Sequence, residues 1–209
     1  SHFARVALIL WCLDIPGLQC KIFRKYSEDV IANHMLTETG FRALLAPLVA
    51  EKAVQIVEDE VRFLFNGSLI SLHHCQQEKD VEKHQGRPCH VMVLDEATQI
   101  EARHIKFLTG WVTMTEDMKA RLPDKYKGKF PRIIYTANPI GVSVGHFKRL
   151  YVKARPAFSK EKVGAFIRQF IPSRVEDNPS ESKEALQGRM MNLDDPAKAS
   201  ALVEGNWDA

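Results

Sequence analysis

The sequence predicts an α/β domain built on a mainly parallel sheet, and three observations lead there. "HVMVL" at 90–94 and "RIIYTA" at 132–137 are short apolar runs of the kind buried on both faces of a sheet, and the helix-like segment "EARHIKFLTGWV" separates them. "SHFARVALILWCLDIPG" carries apolar residues at helical spacing, stops at Pro16-Gly17, and runs into the strand-like "LQCKIFR". "VRFLFN" and "SLISLHH" flank Asn66-Gly67, a strong hairpin turn signal. Strands joined by helical crossovers give a parallel arrangement, with the hairpin as an antiparallel addition.

Each element follows in chain order. A helix is expected over roughly 2–14, then the strand "LQCKIFR", then a helix "EDVIANHM" capped by Ser27. "FRALLAPLVAEK" suggests a helical piece interrupted near Pro47. "AVQIVE", "VRFLFN" and "SLISLHH" read as strands, and "QEKDVEKHQG" as a short exposed helix ending at Gly86. Two buried strands around the 101–112 helix come next, with the basic, turn-rich "PDKYKGKFPR" before the second. Beyond Ala137 lie the turn "NPIG", a helix around 145–153 and a strand "VGAFIRQFI" at 163–171. "ESKEALQGRMMN" and "PAKASALVEG" read as closing helices after "EDNPS".

Composition narrows the class. The 209 residues and 45% hydrophobic content support a substantial core. With 29 Lys and Arg against 26 Asp and Glu, the formal charge of +3 permits a polyanionic partner without requiring one. Cys12, Cys20, Cys75 and Cys89 show no CxxC pairing, which favours reduced core thiols over a disulfide framework. The longest apolar run, "VALILWCL", is too short to cross a bilayer, so a soluble protein without a membrane partner is expected.

The chemistry concentrates in "VMVLDEATQ" at 91–99, a buried strand delivering two adjacent carboxylates to the open end of a sheet. In a nucleotide-hydrolysing site Asp95 would hold the Mg²⁺ shell and Glu96 would polarise the attacking water. A helix cap formed by the same residues is the alternative. "PRIIYTANPIG" at 131–141 ends in Thr136 and Asn138, which a neighbouring parallel strand would set beside the acidic pair to sense a γ-phosphate; an ordinary Asn-Pro turn is the alternative.

These two strands, in this order and with a helix between them, resemble the ATPase domain of the large terminase subunit of tailed bacteriophages, the motor that packs DNA into a procapsid. "VMVLDEATQ" resembles that family's Walker B motif with its catalytic glutamate, and "IIYTANPIG" its coupling motif. "FLFNGSLISLHH" and "EKDVEKHQGR" resemble the segments before Walker B, and "FIPSRVEDNPS" and "LVEGNWDA" the end of the domain. The resemblance implies a P-loop NTPase fold of the RecA-like, catalytic-glutamate class. It divides the chain into an ATPase domain over 1–172 and a helical end over 173–209 that leads to an absent nuclease domain. It further implies ATP and Mg²⁺ as cofactors, double-stranded DNA, further copies of the chain in a ring, the portal protein and the small terminase subunit as partners, and the infected bacterial cytoplasm as location.

The resemblance also assigns residues. In the family a GxxxxGK[ST] loop opens into a helix, so Ser1 would be the last residue of that loop and would share Mg²⁺ with Asp95. The chain's own Gly128-Lys129 is followed by Phe130 and has Pro123 where the first glycine should stand, so the chain is expected to lack the loop and to be inactive alone. Arg87 sits where the family is thought to project an arginine into a neighbouring subunit's site; a surface arginine is the alternative. Arg24, at the end of "KIFR", either approaches the nucleotide or caps the sheet. Glu96, Arg87, Asn138 and Thr136 are thus the catalytic candidates, and Ser1, Asp95 and Arg24 the cofactor-binding ones.

Two further groupings need weighing. His73, His74, Cys75, His84, Cys89 and His90 lie within 18 residues but lack zinc-site spacing, which favours packing. Lys125, Lys127, Lys129 and Arg132, then Lys148, Arg149, Lys153 and Arg155, with Tyr126 and Tyr151 interleaved, could meet DNA phosphates or be solvated surface. A superfamily 2 helicase and a degenerate non-catalytic remnant are the competing readings. "TANP" in place of Ser-Ala-Thr argues against the helicase.

Overall fold

The structure, a computed structural model, describes residues 1–154, 156–164, 166–173, 177, 188 and 201–208. They fall into two compact units, Ser1–Thr136 and Ala137–Ala209. Residues 174–176, 178–187 and 189–200 lie outside the description, and with them most of the expected end segment 173–209 and its first helix.

The first unit is a six-stranded sheet in the order β2-β3-β4-β1-β5-β6. Its strands are β1 (Gln19–Arg24), β2 (Val54–Val57), β3 (Glu60–Phe63), β4 (Ser68–His74), β5 (Val91–Leu94) and β6 (Arg132–Tyr135). β4, β1, β5 and β6 run parallel, while β2 pairs antiparallel with β3 and β3 with β4 across the Asn66-Gly67 turn. All of β5 is buried, as a strand flanked on both edges requires. β6, expected to be buried, is half-buried because it stands at the margin of the sheet.

Helix α1 (His2–Asp14) buries Ala4, Arg5, Leu8 and Cys12, one face at helical spacing. The core joins this face to Ile22 of β1, Ile70 and Leu72 of β4, and Val91 and Val93 of β5. The segment expected as one helix capped by Ser27 is instead α2 (Ser27–Ile31) followed by a π-helical turn, Ala32–Leu36. Tyr26 takes the cap position, so Ser27 is the first helical residue and caps nothing. The Pro47 interruption divides α3 (Phe41–Leu44) from α4 (Ala46–Ala50), with proline in the first turn where its missing N–H costs no bond. α5 (Glu78–Glu82) is less exposed than expected, since two of its own residues, Asp80 and Val81, are buried. α6 (Ala102–Thr109) follows a short turn at Ala97–Gln99, and α7 (Glu116–Ala120), capped by the Thr115 hydroxyl, had no counterpart in the sequence reading.

The second unit contains α8 (Val144–Phe147), a π-helical turn at Lys148–Val152, and the antiparallel hairpin of β7 (Lys160–Val163) and β8 (Phe166–Gln169). The single strand expected at 163–171 is therefore the second arm of a hairpin. β7 escaped notice because "KEKV" is nearly all charged. Residues 201–204 are helical, within the expected closing helix.

Gly40 stands where the chain leaves the π-helical turn. A Cβ there would sit 2.6 Å from the Met35 carbonyl oxygen, a backbone atom that cannot swing away. Gly40→Ala is accordingly expected to destabilise the first unit by about 1–3 kcal/mol, the usual cost of overpacking. An unchanged urea midpoint would show that the turn relaxes freely.

Candidate active site

Parallel pairing makes β1, β5 and β6 end together, and their last residues build the site. The Asp95 N–H donates to Phe23 O at 2.9 Å and the Thr136 N–H to Leu94 O at 3.1 Å, so the ladder itself fixes where both side chains emerge. Asp95 is fully buried. Ser1, just before α1, donates its hydroxyl to Asp95 Oδ1 at 2.8 Å and approaches Oδ2 at 3.0 Å. The Thr136 hydroxyl donates to Asp95 Oδ1 and accepts the Glu96 N–H at 3.2 Å. Ala97 N–H closes the turn on Thr136 O at 2.8 Å.

Arg24, at the end of β1, is almost wholly buried and pairs with both carboxylates. Its Nε lies 3.1 Å from Asp95 Oδ2 without an aligned hydrogen bond, so the contact is ionic, and its Nη2 meets Glu96 Oε1. Sequence reasoning left Arg24 between nucleotide contact and sheet cap; here it is the counter-ion of the acidic pair. Glu96 keeps a side chain 45% exposed and a left-handed backbone, φ 51°, that few non-glycine residues adopt.

The electrostatics follow. Burial alone would raise the Asp95 pKa. Hydrogen bonds from His34, Thr136 and Ser1 outweigh it and hold the group well below the usual carboxylate range. Asp95 therefore remains an anion inside the fold.

Sequence reasoning missed two buried residues. His34 Nε2 lies 3.1 Å from Asp95 Oδ2. Arg5 donates to Thr39 O at 2.8 Å, Asn33 O at 3.0 Å and Thr39 Oγ1 at 2.9 Å. An arginine on the buried stripe of an apolar helix was a usable signal; His34, in an ordinary helical stretch, offered none.

Arg87 precedes β5, at the end of the sheet opposite Asp95, and its carbonyl accepts Lys21 Nζ at 2.7 Å. At about 3.3 Å per strand residue it cannot reach the acidic pair of its own chain. Asn138 belongs to the second unit. In the basic loop, Lys125 pairs with Asp14 at 2.6 Å, Lys127 with Asp124 at 2.6 Å, and Arg132 stacks 5.2 Å above Trp11. Lys148 and Lys153 both pair with Asp208, and Arg155 lies outside the described residues. Among the described residues no three His, Cys, Asp or Glu side chains gather to hold a metal ion, and no helix is long and apolar enough to cross a membrane. His73 and His84 stack edge-on at 4.6 Å, beside Phe23.

The mainly parallel sheet flanked by helices is the P-loop NTPase fold of phage large terminase ATPase domains, to which this chain is similar. The large terminase of a thermophilic bacteriophage matches 97% of this chain at 14% identity with a TM-score of 0.65, and a structure of the same terminase in complex with ADP matches at 13% and 0.65. The ATPase domain of the Thermus phage P74-26 large terminase matches 98% of the chain at 12% identity with a TM-score of 0.55. The chain spans 44% of the thermophilic phage's terminase chains and 82% of the P74-26 domain. No family model matches the sequence, and no curated protein matches it.

Proposed function

We propose that the chain is the ATPase motor segment of a phage large terminase subunit, which hydrolyses ATP with Mg²⁺ to move double-stranded DNA into a procapsid. The Ser1 hydroxyl on the Asp95 carboxylate is the observation that carries this reading, because it joins the start of α1 to the end of β5 across the sheet. Oxygen donors of this kind suit Mg²⁺, a hard cation that takes one or two protein oxygens and completes its shell with water and phosphate. Bound there with ATP, Mg²⁺ would neutralise charge developing on the transferred phosphoryl group.

The chain's own residues divide the remaining work. Asp95 stays ionised and, with Ser1, holds the metal position. Glu96 orients the attacking water, for which it must leave Arg24, so Arg24 acts as a latch on the base. Thr136 ties the Glu96 backbone to the Asp95 side chain, so displacement at one is felt at the other. Asn138 follows two residues later and would carry the loss of the γ-phosphate onward. Arg87 would serve a neighbouring subunit of a ring, since its own site is beyond reach. The ADP in the thermophilic phage terminase structure supports a nucleotide ligand. The portal protein, the small terminase subunit, a nuclease domain and the infected bacterial cytoplasm belong to the same proposal.

The 209 residues contain no GxxxxGK[ST] loop, so this chain by itself is expected to release negligible phosphate from ATP. In a longer protein where such a loop runs into Ser1, Mg²⁺-dependent turnover is expected, and Glu96→Gln should lower kcat by about 10²-fold or more. Turnover that survives Glu96→Gln would refute the assignment of the base.

A further inference from the structure

We propose that His34 is a positioning residue that fixes the Asp95 carboxylate, and that Arg5 holds the π-helical turn in the shape that makes this possible. Nothing in the Walker-type pattern requires a histidine here. The inference comes from four observations on one turn.

His34 is wholly buried, and its Nε2 lies 3.1 Å from Asp95 Oδ2. Facing a carboxylate oxygen at hydrogen-bond distance, Nε2 is the nitrogen placed to donate. His34 Nδ1 is buried with no hydrogen-bond partner among the described residues, so the ring is committed to Asp95 alone. The turn that presents it, Ala32–Leu36, is π-helical, a local widening that re-aims side chains and recurs at functional sites. Arg5 binds the carbonyls on either side of His34, at Asn33 and Thr39, and the close approach at Gly40 locks the exit.

The arrangement answers a specific electrostatic problem. Arg24 pulls on Asp95 Oδ2 from the Glu96 side, and Ser1 and Thr136 draw on Oδ1. A hydrogen-bond donor on the same Oδ2 anchors that oxygen against the ionic pull of Arg24, so the carboxylate does not turn further toward it. Arg5 stands on α1 one helical turn after Ser1, so the helix that supplies the hydroxyl also braces the histidine. The meaning of this for Mg²⁺ rests on the proposed ATPase reading; the hold on the carboxylate does not.

The test uses crystal structures of the whole chain carrying His34→Gln and His34→Ala, with a thermodynamic cycle against Asp95→Asn by urea unfolding. Glutamine can place an amide N–H near the Nε2 position, so Asp95 should stay within about 0.5 Å of its present position, the tolerance of a pre-organised site. In His34→Ala the carboxylate should rotate onto Arg24, and the cycle should give at least tenfold coupling in the unfolding constant between positions 34 and 95. An unmoved carboxylate in the alanine variant, or no coupling, overturns the proposal. If His34→Ala does not fold, the glutamine structure decides: a retained carboxylate supports the proposal and a rotated one overturns it. Failure of ATP turnover in any longer protein would sink the ATPase reading while leaving these structural results intact.

Discussion

Asp95→Ala is expected to destabilise the first unit by about 3–5 kcal/mol, the cost of stripping a buried ion pair of one partner. The reason is what it leaves behind. Arg24 and His34 are almost fully buried, and both commit their charge or donor to this carboxylate. Without it they face each other across a dry gap beside the unsatisfied hydroxyls of Ser1 and Thr136. Asp95→Asn should cost less, since an amide oxygen still accepts from Ser1 or His34, though it cannot balance Arg24. Urea denaturation at neutral pH checks both, and a cost for alanine below about 1 kcal/mol, the range of exposed pairs, would mean that water reaches the site.

Acidification should weaken the fold through a different pair. Burial first, and then the charges of Lys21, His74 and Arg87, press His73 down to about 4; burial, His73 and Lys21 press His84 down to about 3. Unfolded, both imidazoles would take protons near 6.5. Their contribution is therefore complete above about 6.5 and is lost as pH falls from there toward the folded values. At about 1.4 kcal/mol per unit of gap, discounted because the two rings repel, a loss of roughly 3 kcal/mol is expected between pH 6.5 and 4.5. His84→Phe should keep the edge-on packing against Phe23, remove one proton site and cut the slope by about half. Stability measured across that window would disprove the assignment if wild type and variant ran parallel.

The sequence exposed most of the frame and only part of the site, for identifiable reasons. α1, β1 and β5 were legible because their apolar periodicity is unbroken and Pro16-Gly17 marks a stop. Asp95, Glu96 and Thr136 were legible because strand ends point their residues at the same rim. β7 was not, since an exposed hairpin arm needs no apolar pattern, and the half-buried state of β6 depends on its place in the strand order. The Tyr26 cap and the π-helical turn arise from tertiary demand: His34 must reach Asp95, 61 residues away, and local propensity carries no record of that. Arg5 was visible as an oddity on an apolar face, but its partners were not. Within the histidine and cysteine grouping, His73 and His84 are edge-on rings, His74 meets Asp80, His90 accepts the Gln19 N–H, and the buried Cys75 and Cys89 thiols are pushed up to about 12 and about 11, chiefly by burial.

The left-handed backbone at Glu96 has an implication for how this protein would drift under selection. A residue with a Cβ is strained there, whereas glycine would relieve it. Pressure for thermal robustness alone would therefore tend to erase the carboxylate at this corner, so its persistence in a lineage would report demand for its chemistry rather than for its architecture.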